Sequence, residues 1–254
     1  IHGFSGAASD FNNLGTYLSN QNISLYAYEL RGQGNDPDQS RVGDIASVEH
    51  WYKDLNSFIK KVHKETGDAP TFLYGESLGS LIIMHGNSYL DESIQETIKG
   101  VIYASPLIAL PGELPPVKNF IVRLAMFLFP KMKISIKSLA SNQNAQVTSE
   151  TDHWEQMAKT PHFVPKYTLR TLGSIEDLVY SSKEVAPRIT KPTLILYPGK
   201  DVFTRPDQVD KFFGNLKSKD KKKHLFKESH HLLAFDKEKE RLFEIVEQWI
   251  NKRL

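Results

Sequence analysis

The stretch Thr71-Phe72-Leu73-Tyr74-Gly75-Glu76-Ser77-Leu78-Gly79, continuing into Leu81, Ile82 and Met84, decides how the chain is read. Its first half is a β-branched and aromatic run, its second half opens a helical pattern, and a G-x-S-x-G turn joins them. A strand that reverses so abruptly into a helix forces the serine into strained backbone angles. Its neighbours two positions away must then lack side chains, and Gly75 and Gly79 meet that need. The strain lifts the Ser77 hydroxyl above the sheet edge, and the dipole of the new helix favours negative charge developing beside it. Residue type and position are those of a nucleophile.

Working outward, the same alternation of strand and helix recurs. Ile23–Leu30, Pro70–Tyr74, Lys99–Ala104 and Pro192–Tyr197 read as strands, with a weaker one at His224–Lys227. Val48, Trp51, Leu55, Phe58, Ile59 and Val62 fall on one helical face with Ser47 as its N-cap, and Leu242, Ile245, Val246, Trp249 and Ile250 form the face of a last helix. Strands separated by helices predict an α/β fold with a mostly parallel sheet flanked by helices. The alternation stops between residues 107 and 189. That stretch is too long for an ordinary connection, too apolar for an open loop, and shows no strand pattern. It reads as a helical cap inserted between two core strands, leaving residues 1–106 and 190–254 as the core. Lys217–Lys223 reads as a solvated loop.

A serine hydroxyl is a weak nucleophile until a base takes its proton and an acid orients that base. Asp201 follows the strand ending at Tyr197, in Pro198-Gly199-Lys200-Asp201. Two histidines, His230 and His231, follow the last weak strand. The order Ser, Asp, His places all three at the carboxyl ends of strands, where active groups of open α/β sheets gather. His231 is favoured over His230 because Leu232 and Leu233 would hold it at the margin of a packed helix. Taken singly, an aspartate in a turn and a histidine in a loop are ordinary surface residues. Their joint placement with Ser77 is what points to chemistry. A tetrahedral oxyanion needs two N–H donors. Leu78 supplies one, and the opening loop Ile1-His2-Gly3-Phe4-Ser5-Gly6 supplies the other from Phe4.

Composition removes several classes of function. The 254 residues carry a net charge of only +2, which gives no electrostatic footprint for nucleic acid. With 40% hydrophobic residues the chain is not disordered, and without cysteine it has no disulfide scaffold, thiolate metal site or cysteine nucleophile. Its most apolar run, Phe120–Phe129, contains Arg123 and ends at Pro130, short of the roughly 20 residues that span a bilayer.

These residues resemble the α/β-hydrolase superfamily and, within it, the monoacylglycerol lipase and lysophospholipase-like hydrolases grouped with the serine aminopeptidases. The resemblance runs over essentially the whole chain: the His2-Gly3-Phe4 loop, the turn from Glu29 to Gly34, Gly75–Gly79, Leu196–Asp201, and Ser229–Glu240 around the base. It implies Ser77 as nucleophile, Asp201 as acid, His231 as base, and Phe4 and Leu78 as oxyanion donors, with no metal or cofactor. The implied substrate is a lipid-like carboxylic ester, a monoacylglycerol or a lysophospholipid. The family carries strands ahead of the His-Gly loop, so the first strands of the sheet are expected to be missing from this chain. Gly6 and Asp10 stand where mammalian monoacylglycerol lipases organise the loop with glutamate and arginine, which puts glycerol recognition in question. Pro198 stands where the family's glycine precedes the acid.

The cap carries the substrate reading. Phe120 to Phe129 is apolar nearly all round, so it either packs as a buried helix or forms a lid that lines an acyl channel and meets a lipid interface. Met126, Phe127 and Phe129 are the candidate substrate contacts, and Lys131, Lys133 and Lys137 would sit at an anionic headgroup layer. Two other readings keep the fold. An aminopeptidase or C–C bond hydrolase would use the same triad, with Glu150, Asp152 and Glu155 as candidate partners for a substrate amine. A non-catalytic binding protein would ordinarily have lost a triad member. The expected location is the cytoplasm.

Overall fold

The computed structural model describes residues 1–67, 69–110, 115–136, 147–149 and 162–254. Its central sheet has four parallel strands, β1 (Thr71–Glu76), β2 (Ile98–Ala104), then β5 (Thr193–Pro198) and β6 (Lys221–Phe226), in the spatial order β1-β2-β5-β6. Gly75 lies opposite Tyr103, and Ala104 opposite Leu196, so β1, β2 and β5 end together at one edge. Helices α1 (Asn12–Ser19), α2 (Glu49–Thr66), α3 (Leu78–Gly86), α4 (Glu92–Thr97), α7 (Pro206–Asn215) and α8 (Lys239–Asn251) cover the sheet.

One hydrophobic cluster joins Trp51 and Leu55 of α2 to Leu81 and Ile82 of α3 and to Val101, Tyr103 and Ile195 of the strands. A second, on the opposite side of the sheet, joins Leu14 of α1 to Ile102, Leu194 and Leu196 and to Leu242, Val246 and Trp249 of α8. The parity is that of a strand buried on both faces. Neighbours along β2 and β5 alternate between the two clusters, which is why these strands read as unbroken apolar runs.

Two expectations are corrected. Ile23–Leu30 runs extended but joins no ladder among the described residues. The free edge of β1 instead meets the opening residues: the Ile1 nitrogen donates to the Tyr74 carbonyl, Ile1 O accepts the Glu76 N–H, and His2 Nε2 accepts the Leu30 N–H. Leu25, Tyr28, Phe72 and Tyr74 line a common groove of about 430 Å³. The local pattern of a strand is present, but a ladder needs a backbone partner, and among the described residues this segment has none. The weak strand at 224–227 is β6 and begins earlier, at Lys221, so Lys221–Lys223 are strand rather than loop. Lysines suit the outer edge of a sheet. Lys221 donates to the Phe213 and Leu216 carbonyls, and Lys223 pairs with Asp210.

Between β2 and β5 the described residues form α5 (Pro116–Leu128), α6 (Leu169–Val185) and an unexpected two-stranded antiparallel ladder of β3 (Lys133–Ser135) with β4 (Lys166–Thr168). Helix α6 buries Ile175, Leu178 and Val179 in the same cluster as α3. Helix α5 leans on it through Met126, which sits against Gly173, and through Arg123, which pairs with Glu176 and Asp177.

Gly100 in β2 marks the closest approach of α8. A Cβ there would lie 2.3 Å from Trp249 Cη2, inside a buried ring that also meets Phe72 edge-on. Gly100→Ala is therefore expected to cost about 1–3 kcal/mol of stability through overpacking, read as a lower urea midpoint with an unchanged slope.

Candidate active site

Ser77 sits between β1 and α3 at φ +52 and ψ −113, a left-handed conformation that a serine adopts only under constraint. Its N–H donates to the Ala104 carbonyl of the neighbouring strand. The glycines either side are sterically required. A Cβ on Gly75 would lie 2.6 Å from the Gly79 carbonyl, and one on Gly79 would lie 2.1 Å from the Ile1 carbonyl oxygen.

Three loops converge on this turn. His231 Nε2 is 2.9 Å from Ser77 Oγ, and His231 Nδ1 is 3.0 Å from Asp201 Oδ1. An ionised carboxylate only accepts, so Nδ1 carries the ring proton, which leaves Nε2 free to accept the Ser77 hydroxyl proton. Asp201 Oδ1 also accepts the Phe203 N–H at 2.9 Å, while the Phe203 ring meets the His231 imidazole edge-on at 4.7 Å. The loops of Asp201 and His231 are tied together by Gly199 N–H to Phe226 O and Lys200 N–H to Ser229 O. The side chains of Asp201 and His231 are 1% and 5% exposed, so solvent screens this chain of hydrogen bonds very little.

The two adjacent histidines are engaged differently. His230 turns to Asp236, which accepts both its N–H at 2.7 Å and its Nδ1 at 2.9 Å. Asp236 is fully buried and also accepts the Ser149 hydroxyl and the Lys237 N–H, so one carboxylate pins the loop that delivers His231. Ser105, at φ +43 just beyond β2, donates its hydroxyl to the His231 carbonyl. Sequence reading missed both. Asp236 lies inside the charged run Asp236–Arg241, and Ser105 carries no local pattern at all.

The opening loop lies against Ser77, and a Cβ on Gly3 would fall 3.2 Å from Ser77 Cβ. His2 is fully buried, and burial pushes its imidazole down to about 3, so the ring is neutral. Its Nε2 accepts the Leu30 N–H, which leaves Nδ1 to donate to the Gly3 carbonyl at 2.9 Å. Phe4 and Ser5 form a turn closed by Gly6 N–H to Gly3 O. Leu78, fully buried, begins α3. Among the described residues neither the Phe4 nor the Leu78 N–H has a protein acceptor. Of the candidate substrate contacts, Met126 is half-buried against α6, whereas Phe127 and Phe129 are 80% and 59% exposed. Lys137, Glu150, Asp152 and Glu155 lie outside the described residues. Among the described residues no cluster of histidine and carboxylate groups is arranged to hold a metal ion.

Glu76, adjacent to Ser77, is a buried carboxyl. Burial raises it to about 7, with Asp10 adding to the rise and His231 opposing it. The unfolded chain releases this proton near the ordinary value of 4.5 while the folded chain holds it to about 7. Stability therefore falls as pH rises through that window. Glu76→Gln removes the penalty. It should match the parent at pH 5 and exceed its stability at pH 8 by on the order of 3 kcal/mol, measured by urea unfolding at the two pH values.

The family model described as serine aminopeptidase, S33 matches residues 1–238. A putative monoglyceride lipase of Schizosaccharomyces pombe is 24% identical over 246 residues, covering 94% of this chain. The chain spans 62% of that relative's length. Among solved structures, the monoacylglycerol lipase of Paleococcus ferrophilus superposes with a TM-score of 0.82 at 23% identity, covering 100% of this chain and 93% of its own. A soluble variant of the Saccharomyces cerevisiae monoglyceride lipase in complex with a substrate analog superposes with a TM-score of 0.79 at 22% identity, covering 100% and 85%. At these identities the superpositions establish an α/β-hydrolase fold.

Proposed function

The chain belongs to the serine aminopeptidase S33 family, and from that premise we propose that it hydrolyses carboxylic esters of lipid-like substrates through an acyl-enzyme. The observation that carries this reading is the continuous hydrogen-bonded line from Ser77 Oγ through His231 to Asp201, on a serine held at positive φ.

In this reading Ser77 Oγ attacks the ester carbonyl carbon as His231 Nε2 takes its proton. Asp201 keeps the ring in the tautomer that can accept, and offsets the imidazolium charge that then forms. The tetrahedral oxygen, now negative, is met by the Phe4 and Leu78 N–H groups and by the N-terminal dipole of α3. His231 returns its proton to the leaving alkoxide, which departs as alcohol and leaves Ser77 acylated. Water, deprotonated by His231, then attacks the acyl carbonyl. Collapse releases the carboxylic acid and restores the serine. Each proton has a carrier within hydrogen-bond reach, and no step calls for a metal or cofactor.

The substrate class is argued from α5. Val117, Phe120, Ile121, Leu124, Phe127 and Leu128 recur at helical spacing and are each between 43% and 80% exposed, so one whole apolar face of the helix points outward. Lys118 lies in the same helix, and Lys131 and Lys133 follow it in the chain, the latter donating to the Val42 carbonyl. An apolar stripe with lysines close in sequence fits a lipid surface with anionic headgroups, and a monoacylglycerol or lysophospholipid in such a surface is the substrate proposed. No helix among the described residues is long and apolar enough to cross a membrane.

Variants of the triad and of α5 test the proposal. Ser77→Ala is expected to abolish labelling by a fluorophosphonate probe, and His231→Ala to lower p-nitrophenyl butyrate turnover by about 10³-fold or more. His230→Ala should lower it far less. Faster cleavage of aminoacyl-naphthylamides than of matched esters would favour the peptidase reading instead. Phe120→Asp with Phe127→Asp should reduce turnover of a long-chain monoacylglycerol in phosphatidylglycerol-containing vesicles by about tenfold or more and leave soluble p-nitrophenyl butyrate turnover unmoved. Equal rates on vesicles would remove the interfacial role.

A further inference from the structure

The opening loop contains a conformational problem that its own sequence does not solve. Gly6 N–H closes the turn on Gly3 O, and Ser5 occupies the turn's third position at φ +56. Turns that need a positive φ there ordinarily use glycine or asparagine. Serine must be held in that conformation from outside.

Two distant side chains do so. Ser5 N–H donates to Gln33 Oε1 at 2.9 Å, and because an N–H can only donate, the amide atom facing it is the oxygen. Tyr167 O–H donates to the same Gln33 oxygen at 2.7 Å, across 134 residues of sequence. With its one proton used, Tyr167 must accept the bond from Ser5 Oγ, at 2.9 Å. The N–H and the hydroxyl of Ser5 are thus fixed by one closed ring of hydrogen bonds. The Tyr167 ring also stacks on Phe4, centroids 4.1 Å apart and planes inclined by 29°. Gln33 and Tyr167 are both fully buried, and among the described residues Gln33 Nε2 has no acceptor. An amide left half-satisfied so that its oxygen faces Ser5 is a cost that packing alone does not explain.

The consequence falls on the neighbouring peptide. Gly3 O is drawn to Gly6 N–H and His2 Nδ1, and in a trans peptide the Phe4 N–H points the opposite way. We propose that Gln33 and Tyr167 are positioning residues that impose the left-handed conformation of Ser5 and so aim the Phe4 N–H at the oxyanion on Ser77. This inference rests on the hydrolase reading above and adds to it a dependence on the inserted segment, because Tyr167 lies in β4, outside the core strands. Neither residue touches the reacting atoms.

The test is kinetic, on the full chain with p-nitrophenyl butyrate. Tyr167→Phe keeps the ring stack but loses the hydroxyl, and should lower kcat about tenfold with KM moving less than about twofold, as expected for an interaction felt in the transition state. Ser5→Ala should behave likewise. Ser5→Gly also lacks the hydroxyl, yet glycine enters positive φ unaided, so its kcat should exceed that of Ser5→Ala by about fivefold. Equal losses in the alanine and glycine variants, or a kcat unmoved by Tyr167→Phe while Ser77→Ala is inactive, would overturn this inference and leave the hydrolase reading standing. A parent protein without ester turnover overturns the hydrolase reading, and this inference with it.

Discussion

The site depends on backbone held where it would not rest. Among the described residues, four that are not glycine have positive φ, and three of these are serines around one point: Ser5, Ser77 and Ser105. Each such conformation costs roughly 1–3 kcal/mol and persists only where its surroundings over-determine it. The restraints differ. Ser77 is pinned by its N–H on Ala104 and by two glycines that let α3 press against β1. Ser105 is pinned by its N–H on Leu196 and its hydroxyl on the His231 carbonyl, and Ser5 by Gln33 and Tyr167. Ser77 is thereby fixed to the end of β2, the His231 loop to Ser105, and the opening loop to the buried side chains of Gln33 and Tyr167. Side-chain flexibility then has little left to misplace, which is the condition under which hydrogen-bond donors stabilise charge without first reorganising.

What the sequence revealed follows from how local each cause is. The strand and the paired glycines around Ser77 are legible because the steric demand is met within nine residues. The position of Asp201 is legible because it follows the unbroken apolar run of β5, whereas His231 follows only the weaker, lysine-rich β6 and is placed by its order in the chain. The choice between His230 and His231 rested on the two leucines that follow. In the structure the division is made by Asp236, which takes His230 and leaves His231 to Ser77 and Asp201. Sequence gave no access to that carboxylate, since it reads as one more charge at the start of a helix.

The misreadings have one physical origin. A strand is a property of a pair, so Ile23–Leu30 has the alternation but no ladder, while Lys133–Ser135 and Lys166–Thr168 have little pattern yet form one. The same holds for side chains. Gln33 looks like part of a polar turn and Tyr167 like an isolated aromatic, and only their convergence on Ser5 gives them a role. Contacts across more than a hundred residues leave no periodicity to read. The helical run Phe120–Phe129 was ambiguous for a related reason, because hydrophobicity predicts that a surface will be covered without saying by what.

The inserted segment joins the two sides of the proposed chemistry. Tyr167 in β4 is followed directly by α6, whose first turn is capped by Thr168 and whose Ile175, Leu178 and Val179 are buried in the core beside α3. Helix α5 is attached to α6 by the Arg123 ion pairs and by Met126 against Gly173, with its apolar face outward. The order of attachment is therefore oxyanion loop, β4, α6, α5, surface. The rigid member is α6, anchored in the core and tied at its base by Arg170 to Asp44 and by Thr171 to the Ile45 N–H. The outer member is held by half-exposed ion pairs and one flexible methionine, which are weak restraints in water. Just beyond α5, Pro130 and Met132 accept the Arg170 and Leu169 N–H groups and β3 pairs with β4 opposite Tyr167, so the end of α5 is tied by backbone to the strand that carries Tyr167.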